Sequence, residues 1–138
     1  MENRLIYICS PYAGNTEENI TFVRQACCYA IRQGAIPLAP HLLYPQILDD
    51  NISVEREIGI RLGMEVLRRC EEVWICGDQM SEGMKWEAEY AKAREIPVRR
   101  VPACEIAENR MLQEKELEPI RGCLEIGQPD QKDVQMEM

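Results

Sequence analysis

The sequence predicts an α/β fold, a flavodoxin-like or Rossmann-like three-layer sandwich around a parallel sheet of four to five strands. Three observations carry that prediction. Short apolar runs suited to buried strands alternate along the chain with segments of helical period. Joined by right-handed crossovers, such units give a parallel sheet covered on both faces. The 138 residues, 46% of them hydrophobic, suffice for one core and not for two. A single domain is therefore expected over residues 1–120, with residues 121–138 a polar, flexible tail.

Leu5 to Cys9, LIYIC, is an apolar run closed by Ser-Pro and reads as the first strand. Asn15 then opens a helix, because NTEE places Glu18 three residues beyond a capping Asn and Ile20, Val23, Cys27, Ala30 and Ile31 follow at helical spacing. Gly34 ends it. Ala35 to Ala39 reads as a second strand, which Pro37 restricts to an edge by removing a ladder donor. HLLYPQILDDN is expected to be loop, extended at Tyr44-Pro45 and turning at Asp49-Asp50-Asn51. Ser53 is expected to cap the next helix, whose Val54, Ile58, Leu62 and Val66 recur every four residues and are expected to face the sheet. Glu72 to Gly77 is a third strand, SEGMKWEAEYAKA a helix, IPVRRVP a fourth strand, and residues 104–118 a charged final helix.

The formal net charge of −8 and the lack of a basic stripe argue against nucleic acid as a partner. A small anion remains compatible, because a helix N-terminus and an arginine or two are enough to hold one. No stretch nears the ~20 apolar residues of a membrane span, and the N-terminus lacks the pattern of a signal peptide. Seven cysteines without a CxxC pair or a Cys/His ladder point to reduced thiols in a cytoplasmic protein, with no metal and no cofactor expected. Cys9, beside the expected pocket, is the one thiol set apart from a filler role.

In a parallel α/β sheet, ligands bind beyond the carboxyl ends of the strands. That edge gathers SPYAGN after the first strand, PHLLY after the second and GDQMSEG after the third. SPYAGN, just before a helix N-terminus, suits a phosphate or carboxylate or is an ordinary strand-to-helix turn; it is neither a GxGxxG nor a Walker loop. The lone His41 is either a structural hydrogen-bonder or a pocket group. Glu87 shares one helix face with Met84, Ala88 and Ala91, which is otherwise small and apolar, so its carboxylate is expected to point inward. Glu89 falls on another face and can pair with Lys85 or Lys92. A partly desolvated carboxylate held by hydrogen bonds is what a covalent glycosyl-enzyme mechanism requires.

IYICSPYAG, PHLLY and SEGMKWEAEYA, in this order and spacing, resemble the nucleoside 2-deoxyribosyltransferase-like superfamily, which includes the 2'-deoxynucleoside 5'-phosphate N-glycosidases. The likeness spans about Leu5 to Val101 and is nearest to a small bacterial and phage branch. It implies that Glu87, at the end of a glycine-x-x-x-glutamate step from Gly83, attacks the anomeric carbon of a nucleotide or nucleoside. Tyr7 matches the tyrosine that holds that carboxylate. Ser81 stands where phosphate-specific relatives bind the 5'-phosphate, and Ser10, Gly14, Asn15, His41, Gly83 and Met84 are expected to complete the pocket. The family's aspartate near the end of the second helix maps onto Gly63, so the expected acid is missing, and Glu57, Asp49 or Asp50 are the candidate substitutes. The resemblance thus implies an N-glycosidic bond hydrolase or a (deoxy)ribosyltransferase, or else a catalytically silent binder of a nucleotide-derived molecule. It also implies a homodimer or higher homo-oligomer, for which Trp86, beside Glu87 but on another helix face, is a candidate contact unless it is a partly buried cover over the sheet.

Overall fold

The computed structural model describes residues 4–11 and 17–107. Its core is a four-stranded parallel sheet in the order β2-β1-β3-β4, formed by β1 (Leu5–Cys9), β2 (Ile36–Leu38), β3 (Glu72–Cys76) and β4 (Val98–Val101). This is the flavodoxin-like order, with the switch point between β1 and β3. The two central strands are buried along nearly their whole length, while the outer two are partly exposed. Pro37 sits on edge strand β2, opposite Ile6, where a missing N–H costs no central ladder bond.

Strand alternation divides the core into two layers. Ile6 and Ile8 of β1 and Trp74 and Cys76 of β3 pack against Val23, Ala26, Tyr29 and Ala30 of α1 (Glu17–Arg32) and against Ile106 of α5 (Ala103–Ile106). On the opposite face Tyr7, Cys9, Val73 and Ile75 meet Leu67 of α3 (Ser53–Arg68) and Met84, Ala88 and Ala91 of α4 (Glu82–Ala93). The first layer is fixed by a polar rim around the buried Trp74. Its indole N–H donates to Glu72 at 2.9 Å, Arg4 pairs with the same carboxylate, and the Arg99 guanidinium lies 4.8 Å above the ring.

Two glycines need positive φ. Gly34, at φ 81°, ends α1, and Gly77, at φ 101°, turns the chain out of β3. A side chain at Gly77 would also press on the Phe22 ring, whose atoms lie 3.4 Å from the added carbon.

Three expectations are corrected. HLLYPQ is helical, as α2 (Pro40–Leu43) followed by a 3₁₀ turn over Tyr44–Gln46. Pro40 occupies the first turn, where its missing N–H has no intrahelical partner to lose, and Tyr44 takes helical angles (φ −66°, ψ −33°) despite preceding a proline. Ser53 is the first helical residue of α3 and makes no cap; Ile52 is the N-cap, while Asp49 and Glu55 tie down the approach by accepting backbone N–H bonds from Asn51 and Asp49. The sheet-facing side of α3 is also not the predicted one. Gly63 and Leu67 are buried, whereas Val54, Ile58 and Leu62 are 65%, 42% and 38% exposed. Glycine rather than a bulky apolar side chain marks the buried side here, and the atom nearest a carbon added at Gly63 is the Tyr7 hydroxyl at 3.9 Å. The expected helix beyond Ala107 and the tail lie outside the described residues.

Burial holds the core thiols in the neutral form: the Cys70 thiol is pushed up to about 11 and that of Cys76 to about 12. Because the folded state retains these protons longer than the unfolded chain, stability is full below about pH 9 and declines as pH rises toward those values. Thermal melts at fixed ionic strength are expected to show a plateau from pH 7 to 9 and a falling Tm above it. The fall is expected to be shallower in Cys76→Ala measured against its own plateau.

Candidate functional site

The carboxyl edge of the sheet brings together β1, α2 and the N-terminal half of α4. Helix α4 starts cleanly because Ser81 caps it: its Oγ accepts the Met84 N–H at 3.3 Å, and its own N–H approaches the Met84 sulfur at 3.5 Å. A cap of this kind is worth about 1 kcal/mol. It also fixes the rotation of the helix, so that Met84, Glu87, Ala88 and Ala91 form the buried face. Glu87 is thereby carried among apolar neighbours and retains only 9% of its exposure.

Three side chains from other elements approach its carboxylate. His41 of α2 places Nε2 at 3.6 Å from Glu87 Oε1. Tyr7 and Cys9 come from beneath, on the same face of β1. Burial first, then the Glu87 charge and a hydrogen bond directed at it, raise the Tyr7 hydroxyl well above its usual range. Burial and the same carboxylate raise the Cys9 thiol, so both groups keep their protons. Both donors are aimed at the carboxylate, yet Oε2 is buried without a hydrogen bond of ordinary length and angle. Leaving such an acceptor unmatched costs about 1–3 kcal/mol, and more when it is charged. Ser10, at the end of β1, is 1% exposed and its hydroxyl is likewise unmatched. A buried carboxylate oxygen and a buried hydroxyl left unmatched at the mouth of a parallel sheet suit a polar ligand better than a closed core.

The other expected residues distribute as follows. Gly83 lies exposed in the first turn of α4, and Met84, 1% exposed, is a core residue beneath Glu87. Gly14 and Asn15 lie outside the described residues. Gly63 is buried on α3, and a carbon added there would meet nothing nearer than the Tyr7 hydroxyl at 3.9 Å. Space therefore stands above Tyr7 where the expected acid is missing. The suggested substitutes do not fill it. Glu57 is exposed and pairs with Arg61 at 3.1 Å, Asp49 is engaged in the approach to α3, and Asp50 is exposed. Lys85 pairs with Glu82 at 3.6 Å, not with Glu89.

Sequence periodicity missed how close His41 comes, because the helical turn that delivers it was read as loop. Cys9, the thiol set apart in the sequence, lies two residues after Tyr7 on one strand and so shares the face that meets Glu87. A surface hollow of about 400 Å³ lies elsewhere, lined by Pro45–Asn51 and Glu55. Within it the Asp49 N–H donates to Glu55 and the Asn51 N–H to Asp49, contacts that tie down the start of α3. Among the described residues no group of three or more His, Cys, Asp and Glu is arranged to hold a metal ion, and no helix is long and apolar enough to cross a membrane.

Comparison with known proteins agrees with this architecture. A family model described as a domain of unknown function, DUF7768, matches residues 4–101. No curated protein matches the chain. Among solved structures, a 2-deoxyribosyltransferase from Bacillus psychrosaccharolyticus superposes with a TM-score of 0.60 at 16% identity, over 83% of this chain and 81% of that one. At that identity the likeness establishes the fold.

The unmatched Oε2 has a consequence for stability. Replacing Glu87 by methionine, similar in volume and without a charge to bury, is expected to raise Tm, by an amount reflecting about 1–3 kcal/mol. Paired melts of the parent and Glu87→Met at neutral pH test this, and a lower Tm in the variant would show that the carboxylate is fully matched.

Proposed function

Since the chain belongs to the DUF7768 family, whose description names no activity, we propose its function from the site: it cleaves or exchanges the N-glycosidic bond of a nucleotide or nucleoside, with Glu87 as nucleophile. The observation that carries this is the buried Glu87 carboxylate, approached by Tyr7, Cys9 and His41 at the ligand-binding edge of the sheet, with one oxygen unmatched. The deoxyribosyltransferase fold of the Bacillus relative supports the same class of chemistry.

A Glu87 oxygen attacks the anomeric carbon, and the carbon–nitrogen bond breaks with its electron pair leaving on the base. This gives a glycosyl ester on Glu87. Water then attacks the same carbon, the ester oxygen leaves as carboxylate, and the water proton passes to solvent or to the departing base. A second base in place of water makes the reaction a transfer. Tyr7, which holds its proton, orients the carboxylate, and His41 stands at the pocket edge. The turn after Ser81 offers backbone N–H groups and the positive end of α4 to a 5'-phosphate.

No acid stands over the leaving base at Gly63, and general acid assistance is typically worth ~10²–10⁴ in rate. The site therefore favours a base that departs without prior protonation, such as a nicotinamide-type cation. The same vacancy favours a second reading, a silent binder of a nucleotide-derived molecule.

The assay is incubation with nucleosides, 5'-monophosphates and nicotinamide nucleotides, with chromatographic detection of free base. Base release by the parent and none by Glu87→Gln is the expected result. Equal release by both excludes Glu87 as nucleophile, and stabilisation by one compound without release selects the binder.

We propose further that the protein is a homodimer formed through α3. Val54, Ile58 and Leu62 lie exposed at spacings of four, with Ile47 and Ile52 exposed just before them. Helix α3 carries three Glu (55, 57, 65) and three Arg (56, 61, 68), so two copies can meet there without the repulsion that the net charge of −8 imposes elsewhere. Light scattering is expected to give a dimer for the parent and a monomer for Ile58→Lys/Leu62→Lys. A monomeric parent refutes this arrangement.

A further inference from the structure

The two oxygens of Glu87 stand in different surroundings. Oε1 lies 3.6 Å from His41 Nε2, whereas Oε2 is buried without a hydrogen-bond partner. An imidazole carries a proton at Nε2 in its charged form and in one neutral tautomer, so either form can face a carboxylate oxygen there. The segment that presents this histidine is well anchored. Pro40 before it is buried, Leu42 after it packs against the first core layer, and the Gln46 amide donates to the Leu42 carbonyl at 2.6 Å. The buried residues of α3 are Gly63 and Leu67, and those beside Glu87 on α4 are Met84, Ala88 and Ala91, none of them basic. The cation that meets the carboxylate thus comes from α2.

We propose that His41 is a positioning residue for Glu87: it holds Oε1, leaves Oε2 as the oxygen that attacks, and steadies the carboxylate as the leaving group when the glycosyl ester breaks. The inference rests on the reading of Glu87 as nucleophile and gives His41 a part within it. When the bond from Oε2 to the anomeric carbon forms, the carbon–nitrogen bond breaks with its electron pair on the base. Oε1 becomes the carbonyl oxygen of a neutral ester, and His41 faces a weaker acceptor. When water attacks that carbon, the bond to Oε2 breaks, its electron pair returns to the carboxylate and the water proton passes to solvent. The charge on Oε1 then reappears beside His41. The histidine favours the free carboxylate over the ester, so it aids the second step and not the first.

Melts of the full-length protein at neutral pH test the pairing without any substrate. His41→Leu is expected to lower Tm more in the parent than in a Glu87→Gln background, because only the parent is left with a stranded charge. Equal shifts in the two backgrounds overturn the proposal. With a nucleotide that releases its base, rapid quenching follows the first turnover and intact mass follows the decay of the glycosyl-enzyme. His41→Leu is expected to release the first base no more slowly than the parent and to lose the glycosyl group about tenfold more slowly, the worth of one hydrogen bond to a charged group. His41→Gln, which keeps an N–H without the charge, is expected to recover part of that rate. Equal decay in parent and His41→Leu, or an equal slowing of both steps, overturns the role in ester breakdown. Should His41→Leu fail to fold, His41→Ala takes its place in both measurements. Coupled melts with no base release from any nucleotide leave the pairing but overturn the nucleophile reading and the part of His41 in it. Base release with uncoupled melts overturns the part of His41 alone, so the two failures are distinguishable.

Discussion

Burying a carboxylate on the inner face of a helix requires the surroundings to provide for it, and much of the local structure answers to Glu87. The charge stands on the sheet-facing side of α4, where an alanine or leucine would pack without cost. Its nearest groups are a histidine, a phenol and a thiol, each from a segment that has to be placed by something else. Helix α2 brings His41 back over the edge of the sheet. The strand period puts Tyr7 and Cys9 on one face. The Ser81 cap sets the rotation of α4, and Gly77 turns the chain at the angle from which that helix starts.

The two faces of the sheet contrast accordingly. The layer against α1 is a conventional core, its buried tryptophan ringed by polar contacts from Arg4, Glu72 and Arg99. The layer against α3 and α4 is apolar too, but it takes in Glu87 and leaves an acceptor unmatched. Such an imbalance within one small domain separates the part that confers stability from the part available for chemistry.

Much of this was legible in the sequence. LIYIC could hardly be other than a buried strand, Pro37 confined its strand to an edge, and Met84, Glu87, Ala88 and Ala91 declared their common face by spacing alone. Helix α3 misled for a physical reason: Val54, Ile58 and Leu62 form a true apolar stripe, but the side that meets β1 is marked by Gly63, which carries no hydrophobic signal at all. The segment around His41 was misread because Pro45, taken to hold Tyr44 extended, sits in a first helical turn where a proline is tolerated, as does Pro40. The unmatched state of Oε2 is a property of three-dimensional placement and leaves no trace in composition or period.

Gly63 also bears on how such a site can change over generations. A glycine codon ending in a pyrimidine is one nucleotide away from aspartate, and the first carbon of a side chain at Gly63 would meet the Tyr7 hydroxyl at an ordinary contact distance of 3.9 Å. That single step would set a second carboxylate near the first, and two like charges in one buried pocket resolve their repulsion by sharing a proton.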